Sequence, residues 1–326
     1  MKGWYMSIVT VLPENKQAWL ELRLQDITST EVSALFGISP YLTEFELFYQ
    51  KKEKTIVELA ENERMKWGTL LQDSIAQGIA EEQGWKVRRM DEYIREDELR
   101  AGSSFDFCIE GLTQEEVNNS TAPDEATRRM LEGKGILEIK NVDSLIFLKT
   151  WEDGEPPLHI QIQVQHQLLV SGFSYAYIGV LVGGNSLHLI KQERNEKVIE
   201  GMKIRIAKFW KSIDDNTPPE PNFKVDAEFL VSLYGYAEPG KFKDVTEDAE
   251  IEKLALEYKA AGDQEKEAKK IKSEMKAKLL VLIEDAEKAL GTGFTISAKT
   301  LGPVLVTAHE RAGRRDFRIN WKKEKK

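Results

Sequence analysis

An aspartate set among apolar residues (Ser104-Phe105-Asp106-Phe107-Cys108-Ile109) and a Glu-x-Lys triplet (Ile136-Leu137-Glu138-Ile139-Lys140) are the residues best suited to chemistry. Both segments read as strands, and strand side chains two residues apart face the same side. Glu138 and Lys140 therefore project together, while Leu137 and Ile139 turn the other way, into the core. If the two strands pair, Asp106 joins them. Two carboxylates can then hold Mg2+ or Mn2+, hard cations that prefer oxygen ligands. A nearby ammonium can orient an attacking water or help to deprotonate it, while the metal stabilises charge on a phosphate. Glu-x-Lys alone is a weak signal, because it recurs on the solvated faces of many strands, and the aspartate strengthens it only modestly.

The elements that must position these residues are legible in outline. Short helices are expected over residues 14–53. Trp19, Leu22 and Leu24 give the first its apolar content, and Thr28 or Ser29 is placed to cap the second ahead of Val32, Leu35 and Phe36. Gly37-Ile38-Ser39-Pro40-Tyr41 breaks the pattern before a third helix carrying Phe45, Leu47 and Phe48. A longer helix over 61–83 stops at Gly84. Strand-like segments follow at 86–96, 99–111 and 135–142, with a polar insert at 113–132. A Gln-rich helix over 157–172 precedes two apolar strands and a helix near 195–213. Pro218-Pro219-Glu220-Pro221 then marks a boundary, giving expected domains at 1–220 and 221–326. Residues 247–290 are dense in Glu, Lys, Ala and Leu, which suits a long helix or helical hairpin. Strand-like pieces (294–300, 304–310 and 316–322) and a basic tail complete the chain.

Composition bounds the class. Of 326 residues 41% are hydrophobic, enough for a real core. No apolar run is long enough to span a bilayer, and the N-terminal segment lacks a convincing signal-peptide cleavage site. The single cysteine, Cys108, rules out an internal disulfide and a thiolate metal cluster, and together these features point to the cytoplasm. A net charge of −9 argues against a nucleic-acid partner only globally, since basic groups can still line one groove.

The ordered set of segments is more specific than any one motif. Arg23-Leu24-Gln25-Asp26-Ile27-Thr28-Ser29-Thr30-Glu31-Val32, Leu35 to Tyr41, Phe45 to Phe48, Trp67 to Asp73, Ser104 to Phe107, Leu137 to Lys140 and Gln163 to Gly172 occur in one order. This series resembles the YqaJ-like viral recombinases and lambda exonuclease, within the PD-(D/E)XK nuclease superfamily, and it covers roughly residues 15–215. The resemblance implies an α/β PD-(D/E)XK core, with a mixed central sheet flanked by helices, followed by a C-terminal helical appendage ending in short strands. Carried over residue by residue, Asp106 and Glu138 resemble the metal ligands, Lys140 the catalytic lysine and Gln163 a glutamine completing the active site. Arg23 and Thr30 fall where family members grip the 5′-phosphate of a DNA end, and a guanidinium fork suits phosphate oxygens.

Three departures from the family pattern matter. Gln72 stands where the family carries a glutamate, with Asp73 beside it, so either Gln72 through its carbonyl or Asp73 is the candidate third metal ligand. The first acid lies in Ser-Phe-Asp-Phe in place of a Ser-Pro-Asp-Gly turn. The 113–132 insert, with Arg128, Arg129 and nearby Lys134, reads best as a solvated loop. His159 and His166 read as helix-surface or supporting groups, and some of Gln161, Gln163, Gln165 and Gln167 as simply solvated. The implied activity is a 5′→3′ double-strand DNA exonuclease of phage-type recombination, using about two Mg2+ or Mn2+ ions. It would leave a 3′ single strand for a strand-annealing partner, and a homotrimer threading DNA is also implied. Two alternatives stay open: an endonuclease or nickase built on the same core, and a DNA-binding module whose active site is impaired at Gln72.

Overall fold

The computed structural model describes residues 7–56, 62–111 and 133–302; the polar insert with Arg128 and Arg129, the last two strand-like pieces and the basic tail lie outside them. The chain divides into two units, Met1–Phe229 and Leu230–Lys326. In the first, the order is β1 (Ile8–Val11), α1 (Lys16–Gln25), β2 (Ile27–Thr28), a 3-10 turn (Val32–Phe36), α2 (Glu44–Lys52) and α3 (Glu63–Gln83). Then come β3 (Val87–Arg89), β4 (Tyr93–Glu96), β5 (Ala101–Ser103), β6 (Phe107–Ile109) and β7 (Gly135–Val142). After these follow α4 (Ser144–Thr150), α5 (Leu158–Ser171), β8 (Tyr175–Val182), β9 (Ser186–Glu193) and α6 (Glu196–Asp214), and the division between the units falls within α7 (Ala227–Leu233).

A mixed five-stranded sheet, in the order β3-β6-β7-β8-β9, holds the centre of this unit. Its β6–β7 pair is antiparallel with Phe107 opposite Leu137, and β7–β8 is parallel. A parallel neighbour needs a crossover, and α4 with α5 supplies it. Leu137 and Ile139 of β7 pack with Ile75, Ala76 and Ile79 of α3 on one face. Gly179 of β8 permits that approach, because a Cβ there would collide with the Ile79 side chain. On the other face, Ile136, Ala176, Ile178 and Val180 pack with α5 (Val164, Leu168) and α6 (Ile206, Phe209). The sheet is therefore layered between helices, the arrangement that buries both faces of its central strands.

A second sheet, β1-β4-β5-β2, was not foreseen as separate from the first. Its formation changes the roles of two expected capping residues. Thr28 lies in β2, parallel to β5, and the Ser29 hydroxyl accepts from Ser103 at 2.8 Å. The 3-10 turn starts from Glu31 without a side-chain cap. By contrast α3 ends on its expected signal, Gly84, which takes a left-handed φ of 67°; its start falls two residues later than expected, where Asn62 accepts from Met65 N.

In the second unit α8 (Ala249–Ile283) is one long helix, capped by Asp248 and with no buried residue. Pairs such as Glu265–Lys269 (2.6 Å) and Glu274–Lys278 (2.6 Å) lie along its surface. The helix ends earlier than expected: Leu290 belongs to β10 (Lys288–Gly291), which forms a hairpin with β11 (Phe294–Ser297). No helix among the described residues is long and apolar enough to cross a membrane.

Candidate active site

Asp106 sits in the bend just before β6, not within a strand as its apolar neighbours suggested. Its carbonyl accepts from Met90 N, which fixes the approach to the strand. One step along the register from the Phe107–Leu137 pair, it faces Glu138. One carboxylate oxygen accepts from Ile139 N at 2.8 Å and the other from Gln72 Nε2 at 2.9 Å. Both sheet and helix therefore hold the same carboxylate.

Glu138 is buried, and both of its oxygens accept hydrogen bonds. Its Oε1 accepts from Lys140 Nζ at 2.6 Å and from Gln163 Nε2 at 2.6 Å, and its Oε2 accepts from Gln167 Nε2 at 2.8 Å. Lys140 Nζ also reaches Gln163 Oε1 at 3.4 Å. Gln163 and Gln167 are four apart on α5, one helical turn, so both side chains fall on the face that meets β7. Gln167 was the residue missed; its spacing from Gln163 was the available signal. Nor are the other two glutamines simply solvated. Gln165 is buried, accepting from Asn195 N at 2.8 Å and donating to Glu193 O at 2.7 Å, and Gln161 Nε2 donates to Pro156 O at 2.6 Å.

Electrostatics follow from this crowding. Burial, then the neighbouring Glu138, push the Asp106 carboxyl up to about 7. Burial would lower the Lys140 ammonium, but Glu138 and Asp106 outweigh it and hold Lys140 above its ordinary value. The site thus concentrates negative charge around one cation. Asp73 is not brought in: it turns outward from α3 and pairs with Arg89 at 2.7 Å, leaving Gln72 as the group α3 offers. Lys134 pairs with Glu110 at 3.4 Å. His166, expected near the helix surface, is fully buried instead, and burial pushes it down to about 4. His159 stays partly exposed, lowered by burial and by Lys140 nearby.

Arg23 and Thr30 are brought together beside this cluster. Arg23 Nη2 donates to Thr30 Oγ1 at 3.3 Å, and its guanidinium lies 4.8 Å from the centre of the Trp19 ring. Trp19 Nε1 in turn donates to Ser104 Oγ at 2.8 Å, tying α1 to the segment that carries Asp106. Beneath them, buried Lys51 donates to Arg23 O at 2.7 Å and to Glu31 Oε2 at 2.8 Å. Burial alone would raise the Glu31 carboxyl, but Lys51 and Arg23 hold it below its ordinary range. Thr30, Lys140 and Gln163 line a single groove of about 910 Å³, so the hydroxyl that Arg23 holds and the lysine of the cluster open on one approach.

The bend before β6 thus sets Asp106 against the Glu138-Ile139-Lys140 triplet of β7, backed by the glutamines of α5. Residues 18–174 match the YqaJ-like viral recombinase domain. That span contains Trp19, Arg23, Thr30, Gln72, Asp106, Glu138, Lys140, Gln163 and Gln167. The chain is similar to the uncharacterized protein YqaJ of Bacillus subtilis (strain 168), at 28% identity over 280 residues, covering 84% of this chain and 80% of that one. Among solved structures, it resembles the alkaline exonuclease LHK-Exo of Laribacter hongkongensis (17% identity, TM-score 0.46, 66% of this chain and 100% of that one). It also resembles a phage related exonuclease of Haemophilus somnus 129PT (12% identity, TM-score 0.39, 58% of this chain and 94% of that one).

Proposed function

We propose that this protein is a divalent-metal-dependent DNA nuclease, acting as a 5′→3′ exonuclease on duplex ends in phage-type recombination. The observation that carries the reading is the Asp106–Glu138–Lys140 cluster within a YqaJ-like domain, whose Lys140 lines the same groove as Thr30, the hydroxyl that Arg23 holds. The product would be a 3′ single strand, suited to a strand-annealing partner.

The donor set fits Mg2+ or Mn2+. Among the described residues no group of three or more His, Cys, Asp or Glu is placed to hold a metal, so the protein offers two carboxylates and neutral amide oxygens. Mg2+ suits such a site, because it keeps several waters and is bound by one or two carboxylates with phosphate oxygens completing the shell. Asp106 and Glu138 would hold the ion, with the Gln72 carbonyl available after an amide rotation. When bound, such an ion supplies Lewis-acid stabilisation of the phosphate oxygens.

The chain's own groups do the rest. Gln163 and Gln167 fix the Glu138 carboxylate in one orientation, and Ile139 N fixes that of Asp106. The Lys140 ammonium orients the attacking water and offsets charge on the phosphate. Arg23 and Thr30 provide a guanidinium fork and a hydroxyl for the terminal 5′-phosphate, which selects ends over internal positions. Trp19 and Lys51 hold that pair in place.

The test is digestion of linear duplex DNA with and without a 5′-phosphate, beside a closed circular plasmid, in Mg2+ or Mn2+. Loss of the phosphorylated linear strand alone, abolished by Lys140→Ala, is the expected result, and Arg23→Ala removes the preference for the phosphate. Plasmid nicking would instead identify an endonuclease, and no cleavage with either metal would sink the nuclease reading.

A further inference from the structure

The groove that contains Lys140 and Gln163 has walls its chemistry does not require. Tyr41 is 83% exposed and Trp67 51% exposed, yet both line this groove. Neither ring is loosely placed. Ser39 Oγ accepts from the backbone N–H groups of Tyr41 and Leu42, holding the Ser39-Pro40-Tyr41 corner so that the phenol stands outward. His159 meets that ring edge-on, with centroids 6.0 Å apart. Trp67 Nε1 donates to Glu63 Oε2 at 3.1 Å, which fixes the indole on α3 five residues ahead of Gln72. Two aromatic side chains are thus held in water at the entrance to a charged site, where burying them elsewhere would be more favourable.

We propose that Tyr41 and Trp67 form a nucleobase-stacking subsite for the nucleotide whose phosphate is presented to Lys140. This rests on the nuclease reading and deepens it by assigning a place to the base as well as the phosphate. A nucleotide offers one anionic group and one flat π-face. The groove answers both, with Lys140 and Arg64 among its cations and the two rings among its walls. Its volume of about 910 Å³ lies within the range of pockets that enclose a small organic group. Stacking on aromatic side chains tolerates any base, because every base has a π-face, so the subsite is blind to sequence. A base inside a duplex already has both faces stacked; the subsite therefore takes an unpaired nucleotide.

The full chain in EDTA, where turnover is suppressed, is titrated against short 5′-phosphorylated single strands by fluorescence anisotropy. The strands are intact or carry an abasic residue at each of the first few positions in turn. At one position the native protein should bind the intact strand about fivefold or more tightly than the abasic one. Tyr41→Ala with Trp67→Ala should erase that difference, while Tyr41→Phe keeps it. Both residues are exposed, so melting curves of the variants should match the native protein. Equal binding of intact and abasic strands by the native protein would overturn the subsite while leaving the nuclease reading standing. So would variants that weaken both strands alike. Failure to bind any strand would likewise overturn the subsite, while digestion of duplex DNA decides the nuclease reading separately.

Discussion

At the scale of single residues, the site is defined by how completely Glu138 is held. Three side chains donate to its two oxygens, and one of them, Gln167, touches no other member of the cluster. Groups that orient a metal-binding carboxylate typically contribute on the order of 10–100-fold in metal affinity or activity. Gln167→Leu should therefore lower kcat/KM by that order while leaving the 5′-phosphate preference intact; a variant with unchanged kcat/KM would show that Gln163 alone suffices. Gln72 makes the complementary case. Its amide donates to Asp106, where a glutamate would add a third carboxylate and, without metal, repel the first. Gln72→Glu should melt at a lower temperature in EDTA yet bind Mn2+ more tightly, on the order of tenfold, by isothermal titration, because ligand charge tunes affinity. Unchanged affinity would place position 72 outside the ion's reach.

At the scale of elements, α5 is the piece that converts sheet geometry into a site. Its Gln163 and Gln167 face β7, while Gln165 satisfies the turn between β9 and α6 through Glu193 O and Asn195 N. Gln165→Leu would leave both of those backbone groups without their partner. Glu193 and Asn195 are exposed, so each lost bond counts at its ordinary net worth of about 0.5–1.5 kcal/mol, and urea unfolding should show a loss of about 1–3 kcal/mol. A loss under about 0.5 kcal/mol would mean water reaches the turn. This helix also shows what the sequence could reveal. Glu138 and Lys140 are legible because a strand's period is fixed, and the end of α3 because Gly84 punctuates it. The glutamines were not sorted, since a buried polar side chain looks like a solvated one until its partner is known. Asp106 looked like a strand residue because its apolar flanks, Phe105 and Phe107, are both core. His166 shows a similar ambiguity: of its two readings, helix surface or supporting group, burial excludes the first, because the helix is buried on most of its circumference.

At the scale of the whole molecule, that histidine couples the core to acidity. The His166 ring, on the buried side of α5, is fully buried; its nitrogens make no hydrogen bond of good geometry, and the nearby Ile27 backbone and Glu31 only partly offset that burial. Burial favours the neutral ring, pushing it from the ordinary 6.5 down to about 4 in the folded chain. The unfolded chain, with the ordinary value, binds the proton first on acidification. Stability from this group is therefore fully present above about pH 6.5 and is lost progressively as pH falls toward about 4. The full loss corresponds to about 3 kcal/mol, at 1.36 kcal/mol per unit. His166→Phe removes the titrating group while keeping a ring of similar size, so its stability should change less than the native protein's between pH 7 and pH 4 when both are followed by urea unfolding. Parallel curves for the two proteins would show that the acid sensitivity arises elsewhere. The buried Asp26 carboxylate, raised by burial despite Arg95 and Tyr93, is the natural next suspect, but its sign is opposite. A raised carboxyl is stabilised by protonation as pH falls, so it opposes the histidine's loss and cannot stand in for it.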